Sequence, residues 1–296
     1  MEFDVNEDVR VEILEQGPVQ ASLLVTRRFR NSRMTQRIVL GAAARRLDFQ
    51  TWVDWREQHR LLKVRFHTTI RSRRATYDIA YGNIDRPTTR NNSYERAKFE
   101  VPGHEWMDLS QADRGLSLLT DSKYGYEARG RMIALSLLKG PKYPDPLSDQ
   151  EEHRFTYSLY PHAGGWRDAQ TVREAGDLND PVDVVLAKAH GGELPPRHAF
   201  VQLAANGVTL EAVKRAEDSD ALIVRLVERH GGEELLALTL DAPLAAAAEC
   251  DLLEQETQSL QVEEPQQVRI LVRPYEIRTM KLTRVKASKG MGVAVR

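Results

Sequence analysis

Residues 47–70 read LDFQTWVDWREQHRLLKVRFHTTI and contain two runs in which apolar and polar side chains alternate. A period of two residues is typical of a β-strand with one buried face, because successive side chains point to opposite faces. The apolar positions are Leu47, Phe49, Thr51, Val53 and Trp55 in the first run and Leu62, Val64, Phe66, Thr68 and Ile70 in the second. The charged segment 56–60 separates the runs, so the sequence predicts a long antiparallel hairpin.

Each alternating run also predicts which side chains are buried. Trp55, Val64 and Phe66 should face the core, whereas Lys63 should face solvent and tolerate substitution. Similar runs recur along the chain at the spacing of β-sandwich strands, and apolar stripes with a helical period over ten or more residues are hard to find. The sequence therefore predicts an all-β protein with more than ~35% strand and less than ~15% helix. Ordinary globular proteins contain roughly 30 to 35% helix.

A break in this pattern falls between residues 164 and 196, where glycine and proline cluster. We expect a large antiparallel β-sandwich over residues 1–185 and a smaller β-sandwich over residues 186–296. From about residue 286 the chain has little to bury, which predicts a flexible tail.

Composition excludes several classes of function. Lysine and arginine number 42 against 43 aspartates and glutamates, so a chain-wide nucleic-acid-binding role is disfavoured. Cys250 is the single cysteine, which excludes an intramolecular disulfide framework and a cysteine-based zinc finger. Neither an export signal nor an apolar run long enough to span a membrane is visible, so we expect no membrane partner and a cytoplasmic location.

A search for catalytic residues does not select a site. None of the eight histidines follows another at a spacing of three to five residues, so a zinc site within this chain is disfavoured. A pair of carboxylates for glycoside hydrolysis cannot be chosen among 43 acidic residues. His104 with Glu105, or His162, could perform acid–base chemistry as in sugar mutarotases built on large sandwiches, although structural histidines are more common. We therefore assign no catalytic and no metal-binding residue.

Three segments, residues 81–100, 118–126 and 135–146, combine Arg, Asn, Lys and Tyr with turn-forming Pro and Gly. Such loops suit polyol recognition, since amides and guanidinium groups bond hydroxyls while an aromatic ring packs on a sugar. Structural loops braced by arginine–carboxylate pairs are the alternative, and the residues by themselves favour it.

The same segments carry a family resemblance. YGNIDRPTTRNNSYERAKFEVPGHEW, LLTDSKYGYEARG, LSLLKGPKYPDP and HRFTYSLYPHAG occur in this order over residues 81–164. Together they resemble the C-terminal β region of glycoside hydrolase family 38, the α-mannosidases, and look most similar to its bacterial and cytosolic branch. The resemblance spans nearly the whole chain and implies that the large sandwich is a galactose-mutarotase-like supersandwich.

The resemblance implies that the catalytic machinery lies outside this sequence. In the family an N-terminal domain holds the zinc and the nucleophilic aspartate, so zinc is expected in the parent enzyme and no cofactor in this chain. The β region contributes a basic side chain near the sugar, which by position is Lys139. Tyr124 is expected beside it. Arg86, Arg90 and Asn91, on a neighbouring loop, would either line the pocket or brace the domain contact.

The leading hypothesis is a C-terminal part of a retaining exo-α-mannosidase that is inactive alone. Its expected partners are its own N-terminal catalytic domain and mannosides or oligosaccharides, and the parent enzyme is expected to form a homo-oligomer. Two alternatives stay open: an independent carbohydrate-binding module, and a mutarotase-like epimerase.

Overall fold

The structure is a computed structural model that describes residues 4–5, 7–189, 191–192 and 195–285. Of these residues, 54% lie in β-strands and 5% in α-helices, which confirms the all-β prediction. The chain divides into two compact units, Met1–Asp183 and Val184–Arg296. The tail predicted from about residue 286 lies outside the described residues.

The described part of the first unit contains two antiparallel sheets and two short helices. Its elements are β1 (Glu7–Gln16), β2 (Gln20–Phe29), β3 (Ser32–Gly41), β4 (Leu47–Asp54), β5 (Leu61–His67), β6 (Arg74–Ile79), β7 (Gly82–Pro87), α1 (Ser93–Ala97), β8 (Val101–Pro102), β9 (Trp106–Ser110), β10 (Arg114–Thr120), β11 (Gly125–Arg129), β12 (Met132–Lys139), β13 (Glu152–Ala163) and α2 (Thr171–Asn179). One sheet has nine strands in the order β1-β2-β3-β4-β13-β10-β9-β6-β7, and the other has four in the order β5-β12-β11-β8.

Buried side chains from both sheets form the main core of this unit. Trp55 is buried in this core, as predicted, and is 2% exposed. Val64 and Phe66 are half-buried and pack against the core, and the Phe66 ring centroid lies 6.0 Å from that of Phe49. The inward face of each alternating run is therefore the predicted one.

The predicted hairpin of β4 and β5 is wrong. β4 pairs with β3 and β13, whereas β5 pairs with β12 in the other sheet, so residues 55–60 cross between the sheets. Trp55 is buried at this crossing. Glu57 is also buried and accepts hydrogen bonds from the Asn31 backbone N at 3.0 Å and from Ser32 Oγ at 2.9 Å. These long-range contacts, which the alternation does not encode, hold the crossing segment against the start of β3.

The helix α2 covers part of the opposite face of the nine-stranded sheet. Trp106, Leu119 and Tyr160 from the strands form a second cluster with Val172 and Ala175 from the helix. The nine-stranded sheet is therefore buried on both faces where α2 lies.

The second unit is a smaller pair of antiparallel sheets. Its described strands are β14 (Val201–Ala204), β15 (Val208–Arg215), β16 (Leu222–Glu228), β17 (Glu234–Leu240), β18 (Leu244–Cys250), β19 (Glu256–Leu260), β20 (Val262–Glu264), β21 (Gln267–Val272) and β22 (Ile277–Arg284). The sheet orders are β14-β17-β21-β20 and β15-β16-β22-β18-β19. Leu226 and Met280 from one sheet and Leu238 and Val268 from the other share one core, which makes this unit a β-sandwich.

Candidate functional site

Lys139 and Tyr124 lie at the same end of the four-stranded sheet. β11 begins at Gly125 and β12 ends at Lys139, and these antiparallel strands place Gly125 opposite Ser136. Both side chains are exposed, Tyr124 by 62%, and Lys139 forms no ion pair with any described residue. Two polar side chains distant in sequence therefore face solvent at one sheet end.

The ring of His104 belongs to the same exposed end. Its centroid lies 6.0 Å from that of Tyr124, in an edge-to-face arrangement. The backbone N–H groups of His104 and Glu105 donate to the carbonyl and to Oδ2 of Asp78, each over 3.0 Å. The histidine–glutamate pair considered for acid–base chemistry thus lies beside Tyr124.

Lys123, next to Tyr124, adds a second basic side chain to the sheet end that carries Lys139. Its Nζ lies 4.2 Å from the centroid of the Phe155 ring, within the range of a cation–π contact. Burial lowers the pKa of Lys123, although the charges of Asp121 and Asp149 oppose this effect. The sequence did not single out Lys123, because its aromatic partner lies on the distant strand β13.

Gly140 holds the end of β12 in place. Its backbone N donates to the carbonyl of Arg60 over 3.0 Å, and its carbonyl accepts from the backbone N of His59 over 2.6 Å. A Cβ at this position would lie 2.2 Å from the carbonyl oxygen of Glu57, so a larger residue requires the backbone to move. The crossover between the sheets therefore positions the neighbouring Lys139.

Arg86 is tied to the edge of the same sheet. Its Nη1 donates to the carbonyl of Pro102 over 2.7 Å, and its guanidinium carbon lies 4.7 Å from the centroid of the Tyr77 ring. Burial lowers the pKa of Arg86. Because Pro102 pairs with Gly125, Arg86 approaches the end that carries Tyr124.

Arg90 belongs to a cluster of four charged side chains, here called the Glu127 cluster: Lys63, Arg90, Glu100 and Glu127. Arg90 Nη2 lies 2.7 Å from Glu127 Oε1, and Lys63 Nζ lies 2.8 Å from Glu127 Oε2 and 3.3 Å from Glu100. Burial by itself would raise the pKa of Glu127, but the hydrogen bonds and charges of Lys63 and Arg90 outweigh burial and lower it. The prediction that Lys63 faces solvent is wrong, since its side chain is 12% exposed and bonds two carboxylates.

Asn91 is exposed and directly precedes the cap of α1. Its backbone N donates to Glu95 Oε2 over 2.7 Å, and the backbone N of Glu95 donates to Asn92 Oδ1 over 2.9 Å. The hydrogen bonds from Asn91 and Thr89 lower the pKa of Glu95. The segment is thus ordered by a reciprocal cap, and no hydrogen bond among the described residues joins Asn91 to Lys139.

His162 lies in a buried polar network beneath α2. Its Nε2 lies 2.9 Å from Asp108 Oδ2 and 3.2 Å from Ser117 Oγ, which lies 2.9 Å from Thr171 Oγ1 in the first turn of α2. A Cβ at Gly115 would lie 2.3 Å from His162 Cε1, so this glycine makes room for the ring. An activated serine requires its base to use one ring nitrogen for serine and the other for aspartate. Because both partners contact Nε2, the network anchors the helix instead.

Two further observations concern metals and membranes. Across the described ranges, no group of three or more His, Cys, Asp or Glu side chains converges in a way that could hold a metal ion. None of the described helices has the length and apolar character that crossing a membrane requires.

The first unit is thus a two-sheet sandwich with basic and aromatic side chains exposed at one end of its four-stranded sheet. Residues 2–147 match the model of the glycosyl hydrolases family 38 C-terminal domain. Residues 207–280 match that of the glycosyl hydrolases family 38 C-terminal beta sandwich domain. The chain belongs to glycosyl hydrolase family 38 and corresponds to the C-terminal region of its members.

Similar proteins agree with this assignment. The chain is 42% identical over 228 residues to human alpha-mannosidase 2C1 and 36% identical over 281 residues to alpha-mannosidase G of Dictyostelium discoideum. These matches cover 76% and 91% of this chain but only 22% and 26% of the relatives. A crystal structure of an alpha-mannosidase from Enterococcus faecalis V583 shares the fold, with a TM-score of 0.78 and 19% identity over 93% of this chain and 35% of that one.

Proposed function

We propose that this chain forms the C-terminal β region of a retaining exo-α-mannosidase that hydrolyses α-mannosidic linkages in mannosides or oligosaccharides. The observation that carries the proposal is the match of both units to family 38 C-terminal models, together with relatives named alpha-mannosidase. The chain spans about a quarter of those relatives, so its partner in the parent enzyme is an N-terminal catalytic domain.

In this proposal Lys139 and Tyr124 form a wall of the substrate pocket. Their side chains are exposed at one sheet end, where an ammonium group and a phenol can bond sugar hydroxyls and an aromatic ring can pack on a pyranose. Arg86 approaches the same end through Pro102, whereas the bonded Arg90 and the segment of Asn91 act as braces. A wall residue acts on transition-state binding, and a brace acts through stability.

The catalytic step belongs to the rest of the parent enzyme. A retaining glycosidase needs a nucleophilic carboxylate and an acid about 5 to 5.5 Å apart across the glycosidic bond. In the proposal these groups and the zinc ion reside in the catalytic domain, the enzyme acts in the cytoplasm in mannose metabolism, and the parent forms a homo-oligomer. Its assignment to the bacterial and cytosolic branch belongs to the same proposal.

The test compares this chain with the parent enzyme on an aryl α-mannoside. We expect zinc-dependent turnover from the parent and none from the chain, with or without added zinc. Zinc-stimulated turnover by the purified chain, or a parent that does not hydrolyse α-mannosides, would each refute the proposal.

A further inference from the structure

Trp52 differs from the other tryptophans in its surroundings. Trp55, Trp106 and Trp166 are each at most 5% exposed, whereas Trp52 is 38% exposed. Its neighbours in β4, Thr51 and Val53, are buried toward the core, so the indole projects from the opposite face of the nine-stranded sheet. In the sequence Trp52 is the residue that interrupts the polar face of this strand.

Polar side chains that form no hydrogen bond within the described part of the chain surround the indole. Thr35 in β3 and Arg154 in β13 lie directly opposite Trp52 in the register, on its two sides. Gln50 lies two residues along β4, and Thr156 lies opposite Gln50 on the same face. Among the described residues, these four side chains form no hydrogen bond or ion pair with one another or with any other group. Neighbouring positions on one sheet face are about 5 to 7 Å apart, so all four can reach a ligand that rests on the indole.

This combination of groups matches a saccharide. The indole face attracts the polarised C–H groups of a pyranose, while amide, guanidinium and hydroxyl groups bond its hydroxyls. A protein partner would favour a more apolar surface, such as the one that Val11, Ile13 and Leu23 expose on the other face of the same sheet. The polar surroundings of Trp52 therefore favour a sugar over a protein.

We propose that the outer face of the nine-stranded sheet around Trp52 is a saccharide-binding surface, with the indole as a platform and with Arg154 and Gln50 as hydrogen-bonding groups. The choice of an α-mannoside as its ligand rests on the proposed function. The site would hold an oligosaccharide on the β region itself, without taking part in bond cleavage.

The experiment titrates this chain with α-linked mannotriose and follows both the heat of binding and tryptophan fluorescence. The other three tryptophans are buried, so a fluorescence change on binding that is lost in the Trp52→Phe variant reports Trp52. We expect saturable binding that Trp52→Ala weakens at least tenfold, Arg154→Ala weakens several-fold and Trp52→Phe partly retains. Phe200→Ala is the control, since Phe200 is a 70% exposed aromatic residue of the second unit, outside the segments suited to polyol recognition, and this variant should bind as the wild type does.

Absence of saturable binding, or equal affinity of wild type and a folded Trp52→Ala variant, would overturn the proposal. Circular dichroism of each variant establishes that it is folded. Hydrolysis of a single-sugar aryl α-mannoside by the parent enzyme separates the saccharide surface from the proposed mannosidase function. The rate of this hydrolysis should be unchanged in the Trp52→Ala variant of the parent. A parent that hydrolyses the mannoside while the chain fails to bind mannotriose would refute the platform and leave the mannosidase assignment intact.

Discussion

The Glu127 cluster and the Lys139 end lie on the same four-stranded sheet but differ in how far their charges are satisfied. In the cluster, Glu127 is bonded by Lys63 and Arg90 at 2.8 and 2.7 Å and is 11% exposed. At the sheet end, Lys139 is exposed and forms no ion pair with any described residue, and Tyr124 is 62% exposed. Basic side chains of the same sheet, Lys63 and Lys139, thus have different surroundings.

The difference shows which polar loop residues are available to a ligand. A charge already bonded to protein partners must lose those bonds before it can bind a sugar, and each net bond contributes about 0.5 to 3 kcal/mol. Arg90 therefore fits the bracing role, whereas Lys139 fits the pocket wall. Substitutions in the core, in the Glu127 cluster and at the sheet end test this contrast.

Phe66→Ala should have the largest effect, because it removes a ring that packs against Phe49 and Tyr157 between the two sheets. We expect a loss of about 3 kcal/mol in the free energy of unfolding, at the lower end for phenylalanine since Phe66 is half-buried. Urea denaturation measures this loss.

Lys63→Ala, on the other face of β5, should cost about 1 to 2 kcal/mol in the free energy of unfolding because it leaves Glu127 and Glu100 short of a partner. A cost below about 0.5 kcal/mol, typical of a surface position, would contradict the role given to the cluster.

Glu127→Gln should cost about 2 kcal/mol, since it leaves two partly buried cations without their shared carboxylate. Glu12→Gln is the matched control, because Glu12 pairs with Arg10 at an exposed site where ion pairs contribute at most about 1 kcal/mol. Thermal unfolding of both variants makes the comparison, and equal losses would show that the cluster is not a brace.

The cluster should also make stability depend on pH. The pKa of Glu127 is lowered in the folded state from its ordinary value of 4.5, so its ionised form stabilises the fold above that pH. This contribution should disappear as the pH falls through the lowered folded-state pKa. The difference in stability between wild type and Glu127→Gln should therefore be constant near neutral pH and shrink below about pH 4.5. A difference that grows on acidification would have the wrong sign.

Lys139→Ala should have the smallest effect on stability, within about 0.5 kcal/mol, because no described contact depends on its charge. In the parent enzyme the same change should lower kcat/KM at least about tenfold, the loss of roughly 1.4 kcal/mol of transition-state binding. Arg90→Ala should do the reverse and lower the melting temperature with little direct effect on kcat/KM. A stability loss for Lys139→Ala without a kinetic effect would remove it from the pocket wall.

Local patterns predicted much of the fold because they report local geometry. Alternation along β4 and β5 placed Trp55 and Phe66 on the core side, and the structure agrees. The same alternation could not show that the strands belong to different sheets. Two consecutive strands with a short charged link resemble a hairpin whether or not they pair, and the hydrogen bonds that Glu57 accepts within the crossover come from residues 31 and 32.

The candidate site was only partly predictable for the same reason. The loops rich in Arg, Lys and Tyr were visible in the sequence, but whether each charge was paired was not. Glu127 joins Lys63 and Arg90 from positions 64 and 37 residues away, and His162 meets Asp108 from 54 residues away. Such pairings arise only when the sheets are assembled.

The sequence by itself determined the all-β class, the inward face of these strands and the family, because side-chain alternation and ordered motifs survive without any knowledge of contacts. The tertiary structure alone decided that β4 and β5 separate and that Lys63 and Arg90 are bonded. It also decided that Lys139, and the polar groups around Trp52, form no side-chain hydrogen bond or ion pair within the described part of the chain. The physical reason is that burial and hydrogen bonding depend on which distant residues meet in space, and a period of two residues specifies a face of a strand but not its neighbour.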